Sequence, residues 1–473
     1  MRKRIVIVGG GLSGLSAAHR IVELQKEKNL DLELILLEAS QRAGGVIHTI
    51  EKEGCLIELG PDSFITTKPW ALDLSKRLGL TSELIGTEEG KRRSFVLRNQ
   101  RLVALPEGFH MLAPGSVMSF LKTPLFSWSG KVRMLMDLVI PKKSIKDESL
   151  ASFVRRRLGN EAFDRAAQPM VGGVYTADPE TLSLRATMPQ FIHMEEKYGS
   201  VIRGIYSAQR KNAKEKRDSG ARYSMFLSFK NGLRTLIDAI IENLPEGSLK
   251  LNQKVKRIER TGEDFQVITR NGVEKADGVI ITTPTYIAQK LMEGIDPALA
   301  QDLSKIEYAS SAILVSVYKR EDIVDKMEGF GFVVPDSENS PLLACSYSSV
   351  KFAWRAPEGQ IILRSFVGGA LDPDILELSD TDITKKIEKE LHSILGITVR
   401  PLFSILQRYP RAMPQYKIGH LDTVERIENR VKELPGLEIA GIAYRGVGIP
   451  DCVHSGEMAA ESLVSTLYNT NSK

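Results

Sequence analysis

The chain opens on a short apolar run, Ile5–Val8, closed by glycines, and such a run reads as a strand buried on both faces. Leu15, Ala18 and Val22 follow at helical spacing, which predicts a helix opening at Gly14; Leu32–Leu37 forms a second strand-like run ending on Glu38. Trp70–Leu80 carries an amphipathic helical pattern, and Ser94–Leu105 reads as a hairpin turning at Arg98–Gln100 and closed by Pro106. From 107 to 208, helical segments are separated by prolines and glycines, among them Pro124, Pro141, Gly159, Pro169 and Gly172–Gly173. Two of these segments, 129–140 and 149–158, set basic residues beside an apolar stripe. That face is either solvated or a docking surface. Gln209–Arg222 is charged and aperiodic, which predicts a loop.

Further along, Leu233–Ile241 reads as a helix, Lys254–Glu259 and Phe265–Thr269 as paired strands, and Asp277–Pro284 as a buried strand entering a proline turn. Strands at Ile313–Tyr318, Gly331–Val334, Leu342–Tyr347 and Gln360–Phe366 surround one clear helix, Asp380–Leu395. Leu437–Gly441 is a last strand before a glycine-rich string and a helix to Leu467.

With 473 residues, 42% hydrophobic and 26% charged, the chain has the composition of a soluble globular protein large enough for several domains. A net charge of +5 is too small to argue for nucleic acid and suits an anionic small molecule or an acidic membrane surface. Cys55, Cys345 and Cys452 lie far apart, so neither a disulfide framework nor a zinc cage is expected. No secretory signal and no membrane-spanning run is visible, which points to a cytoplasmic protein with at most peripheral membrane contact.

The chemistry starts at Gly9-Gly10-Gly11-Leu12-Ser13-Gly14. In a strand–glycine–helix unit, Gly9 permits the tight turn, Gly11 lets backbone approach a pyrophosphate, and Gly14 lets helix and strand pack closely. The helix start offers N–H groups and positive dipole to the phosphates, and Glu38 stands where a carboxylate can accept ribose hydroxyls. NAD and FAD both use such a unit.

Arg42-Ala43-Gly44-Gly45 and Gly60-Pro61-Asp62-Ser63 separate the two cofactors. They resemble motifs of the flavin-containing amine oxidase superfamily, although that family usually carries a cation where Val46 stands. Arg445-Gly-Val-Gly-Ile-Pro-Asp-Cys452, Gly60-Pro-Asp-Ser-Phe64 and Met413-Pro-Gln-Tyr416 are more specific. Over essentially the whole chain they resemble the oxygen-dependent coproporphyrinogen/protoporphyrinogen oxidases of haem synthesis. Asp62, where mitochondrial relatives carry arginine, favours the Gram-positive bacterial form.

The resemblance implies an α/β plus α+β fold. A discontinuous Rossmann-like FAD-binding domain would comprise 1–75, 225–297 and 429–473, and a mixed-sheet substrate domain 76–106 and 298–428. A mostly helical domain, 107–208, would be the candidate membrane- or partner-docking unit, with a charged loop at 209–224. It also implies non-covalent FAD held by Gly9–Gly14, Glu38, Ala39, Arg42, Gly44, Gly45, Gly60–Ser63, Val255, Tyr409 and Val447-Gly448-Ile449.

The implied substrate is coproporphyrinogen III, oxidised by six electrons with molecular oxygen as acceptor and hydrogen peroxide released. Protoporphyrinogen IX is the alternative substrate, and an amine oxidase, a carotenoid desaturase or a flavin-free binding protein are more distant readings. No protein catalytic residue beyond the flavin is expected, since product aromaticity drives the reaction. Lys68 and Arg445 are candidate carboxylate anchors, against a surface lysine and an internal salt bridge. Tyr416 and Tyr444 are candidate ring-facing walls, against core tyrosines. Cys452 reads as a small buried thiol, and His48 and His454 as structural histidines.

Overall fold

The computed structural model describes residues 2–106, 109–110, 113–114, 116–219, 224–325 and 327–469. Its nucleotide-type sheet is parallel and five-stranded, in the order Leu249–Lys250, Leu32–Leu37, Lys3–Val8, Gly278–Ile281, Leu437–Ile439. Three distant stretches of the chain therefore build one sheet. Alternation along the first strand decides its two faces. Ile5 and Ile7 pack under the helices Leu12–Lys28 and Ile449–Asn469, whereas Val6 and Val8 face the helices Thr285–Met292, Pro297–Ser304 and His420–Lys432.

A second, seven-stranded sheet runs in the order Phe403–Pro414, Tyr308–Lys319, Gln360–Gly368, Leu342–Tyr347, Gly331–Val333, Phe95–Arg98, Arg101–Ala104. It is mixed, because Gly331–Val333 pairs parallel with Phe95–Arg98 while the other pairs are antiparallel. Ile383, Ile387, Leu391 and Leu395 of the helix Asp380–Leu395 close one face of it; Cys55, Ile57 and Leu59 pack on the other. A helical unit packs around Phe120, Phe153, Phe163 and Val201. Inside it the buried Arg157 guanidinium is satisfied by Asp137, the carbonyls of Ile140 and Gly199, and Glu195. The whole is a mixed α/β fold.

Four sequence expectations change. The helix Val201–Ser219 continues through most of the segment read as a charged loop; only residues 220–222 of it lie outside the described residues. Buried Val201, Ile202 and Ile205 anchor its start, and the Lys, Arg, Gln, Ala and Glu that follow are good helix formers. Phe403–Pro414 is a long strand that no alternation announced, because it lies at the sheet edge; Pro410 is tolerated there beside a bulge between Ala309 and Ser311. Of the paired strands, the first begins three residues later than expected, at Arg257, and the second one residue earlier, at Asp264. Within the stretch read as helices, Phe109–His110 and Ala113–Pro114 form a short ladder.

Candidate active site

The glycine turn makes a cradle. Gly9, at φ +113°, donates its N–H to the Leu37 carbonyl at 2.8 Å, and any side chain on Gly14 would collide with the Gly9 carbonyl and with Thr282. Gly11 differs, because a Cβ there would meet nothing within 4 Å. The helix Leu12–Lys28 begins at Gly11 with no side-chain cap and no acid in its first turn, so no capping side chain satisfies its leading N–H groups beside that open space. Leu12 and Ser13 are buried in the same turn.

Glu38 accepts the Gly10 N–H at 2.6 Å and the N–H and hydroxyl of Ser40, both at 2.8 Å. A carboxylate with about four lone-pair sites retains capacity for ribose hydroxyls. Ala39 is exposed beside it, and the Gln253 N–H donates to the Glu38 carbonyl, which brings the chain through exposed Lys254 to buried Val255 on that side of the cradle. Gly44 donates to the Gly10 carbonyl at 2.8 Å, so the loop Arg42–Gly45 lies along the glycine turn. Arg42 spends its guanidinium on the Ile47 and Gly45 carbonyls, at 3.0 and 2.6 Å, and so shapes that loop. Open space before Gly11, uncapped N–H groups and a carboxylate at the strand end fit an FAD pyrophosphate and ribose.

The Gly60–Ser63 loop is pinned by charges the sequence reading missed. Arg364 donates to the Gly60 carbonyl and pairs with Asp62 at 3.2 Å; Lys351 reaches Asp62 and the Ser63 hydroxyl, both at 2.8 Å. Burial raises the Asp62 pKa, but Lys351 and Arg364 outweigh it and hold the carboxyl well below the usual range. The Asp62 side chain is therefore committed to these cations. Pro61 sits between the two pinned residues. One signal was available: Arg364 is the lone cation in the apolar run Ile361–Phe366. Tyr409 lies over the same loop, its hydroxyl 3.6 Å from where a Gly60 side chain would begin, and burial pushes the phenol up to about 12.

The C-terminal string folds back onto the first helix, and Gly456 packs directly against the Ser13 backbone. Lys68 meets Asp451 at 2.6 Å, and Asp451 accepts the Gly448 N–H at 3.2 Å. Val447 packs toward the helical unit, while Ile449 opens the helix Ile449–Asn469. This brings Lys68 to the Val447–Ile449 string, but not the other substrate candidates.

Tyr416 is a core pin: its hydroxyl donates to the Ile442 carbonyl at 2.5 Å and accepts the Gly446 N–H at 2.8 Å, and its ring stacks on His420 at 4.0 Å. Tyr444 is also buried, its carbonyl 2.9 Å from His420 Nε2. Burial pushes both phenols well above their ordinary range, and neither ring forms a wall. Arg445 is turned outward, its fork closed on Glu428 at 2.6 Å for both bonds. Thus the anchor reading gives way to an internal ion pair. Cys452 is a thiol pushed up to about 12 by burial, and His454 stacks on Trp70 at 4.0 Å.

The sequence profile of the family described as flavin containing amine oxidoreductase matches residues 12–464. The chain belongs to that family. A coproporphyrinogen III oxidase of Bacillus subtilis (strain 168) is 35% identical over 471 residues, 99% of each chain. A chloroplastic protoporphyrinogen oxidase of Nicotiana tabacum is 32% identical, covering 96% of this chain and 84% of the relative. Among solved structures, a candidate protoporphyrinogen oxidase from Exiguobacterium sp. 255-15 superposes with a TM-score of 0.84 at 31% identity, covering 98% of this chain and 99% of the other. Family membership makes the chain a flavin-containing oxidoreductase related to the porphyrinogen oxidases and implies FAD, which the cradle at Gly11 accommodates.

Proposed function

We propose that this chain is an oxygen-dependent coproporphyrinogen III oxidase, taking six electrons from the macrocycle to give coproporphyrin III and three hydrogen peroxide. The chemistry FAD supplies when bound is two-electron oxidation with dioxygen as terminal acceptor. The chain's own part is to bind and orient. Gly9–Gly14 and Glu38 hold the pyrophosphate and ribose, the Arg42–Gly45 and Gly60–Ser63 loops line the cofactor with backbone, and Val255, Tyr409 and Val447–Ile449 bound it.

The single observation that carries the reading is Lys68. It is a half-exposed ammonium paired at 2.6 Å with Asp451, next to the Val447–Ile449 string, through a single contact at the end of a flexible stem that leaves its other N–H groups for a propionate. Full-length identity of 35% to the B. subtilis enzyme supports it further. Protoporphyrinogen IX is the second reading, favoured by 32% identity to the tobacco enzyme. Comparing kcat/KM on the two porphyrinogens in air, by porphyrin fluorescence, tests the choice. A higher value on coproporphyrinogen III upholds the first reading; a higher value on protoporphyrinogen IX replaces it.

The helical unit carries a second surface. Trp128, Val132, Met136 and Val139 lie exposed on one stripe, and exposed Lys122, Lys142 and Lys143 flank it; the one acid between residues 117 and 146, Asp137, is buried. We propose that this stripe docks the enzyme peripherally on an anionic bilayer. Among the described residues no helix is long and apolar enough to cross one.

A further inference from the structure

Lys68 and Asp451 are an unequal pair. Asp451 stands in the first turn of the helix Ile449–Asn469, where the helix dipole favours a carboxylate. One of its oxygens accepts the Gly448 N–H at 3.2 Å, and the carboxylate fills the space that a side chain on Gly446 would occupy. It is held from two sides and its side chain is only 10% exposed. Lys68 reaches it at 2.6 Å from the end of a four-carbon stem and is 45% exposed. When the pair opens, the lysine is the partner free to move. The cation best placed for a substrate carboxylate is thus already neutralised by a carboxylate of the protein, and a second anion arriving there meets like charge.

We propose that Asp451 is a positioning residue that holds Lys68 in place and competes with the substrate's carboxylate for it, so that the oxidised macrocycle is released more readily than the lysine alone would allow. The proposal rests on the porphyrinogen reading above.

Asp451→Asn is the informative variant, because its side-chain carbonyl can still accept the Gly448 N–H while the competing charge is gone. The Kd of coproporphyrin III and the KM of coproporphyrinogen III are measured for wild type, Asp451→Asn, Lys68→Ala and the double variant, with bound flavin followed by absorbance. Both constants fall about threefold to tenfold in Asp451→Asn, and the effect vanishes in the Lys68→Ala background. A rise in either constant, no change, an equal shift in both backgrounds, or loss of flavin from Asp451→Asn would assign Asp451 to loop integrity and overturn the proposal. If the wild type oxidised neither porphyrinogen, the functional reading would fall and the proposal with it. Turnover with additive constants would remove the proposal alone.

Discussion

Asp62 and Lys351, 289 residues apart in the chain, meet at 2.8 Å and tie the loop after Gly60 to the short helix Ser348–Lys351, which follows a strand of the seven-stranded sheet. Arg364 joins them from the strand Gln360–Gly368 at 3.2 Å. This junction fixes the loop without placing the Asp62 charge against a cofactor.

Because Asp62 is held below its unfolded pKa of about 3.9, its contribution to stability is complete above that value and is lost as pH falls through the acid range below it. Asp62→Asn leaves Lys351 and Arg364 without their carboxylate and should destabilise the fold by about 3 kcal/mol at pH 7. Thermal unfolding from pH 7 down to pH 3 checks this. Wild type should lose stability more steeply than the variant below pH 4, and parallel profiles would count against the assignment.

The space before Gly11 separates a structural glycine from a binding one. Gly11→Ala meets no atom within 4 Å, so the apoprotein should unfold at the wild-type temperature. Its FAD affinity should nevertheless fall about tenfold or more, since the added methyl stands where backbone must approach a pyrophosphate. Flavin titration by fluorescence quenching reads this directly. Unchanged affinity would move the pyrophosphate elsewhere.

Tyr416 makes a prediction opposite to that of an active-site wall. Tyr416→Phe strips a partner from the Ile442 carbonyl and the Gly446 N–H and should cost about 1–3 kcal/mol of stability. Its KM for either porphyrinogen should stay within about twofold of wild type, a change worth less than a typical net hydrogen bond. A large KM change at constant stability would return the tyrosine to the substrate.

The exposed stripe is testable apart from catalysis. Trp128→Ser with Val132→Ser should abolish co-sedimentation with vesicles rich in phosphatidylglycerol and leave solution turnover intact. Equal sedimentation of variant and wild type would dismiss the stripe as a docking face.

How much was legible depended on whether the signal was local. The strand–glycine–helix–strand–acid unit at Ile5–Glu38 was readable because its signal is local: Gly9 takes a positive φ, Gly14 packs on the Gly9 carbonyl, and Gly11 leaves open the space a pyrophosphate needs. The strand Phe403–Pro414 was not, since an edge strand needs no alternating burial and can carry Pro410 beside a bulge. Nor was the pairing of Asp62 with Lys351 and Arg364, or of Arg445 with Glu428, because an ion pair between separate elements leaves no spacing in the sequence. Tyr416 and Tyr444 looked like walls because their motifs are specific, yet that specificity serves the packing of the last loop on His420.

The most direct measurement follows aerobic oxidation of coproporphyrinogen III by the flavin-loaded protein beside Lys68→Ala. The account predicts porphyrin fluorescence with three hydrogen peroxide formed per macrocycle, and a variant that keeps its flavin but shows a KM raised about tenfold, the cost of losing one charge-assisted contact. A yellow wild-type protein that leaves the porphyrinogen colourless, or a variant with unaltered kinetics, would contradict it.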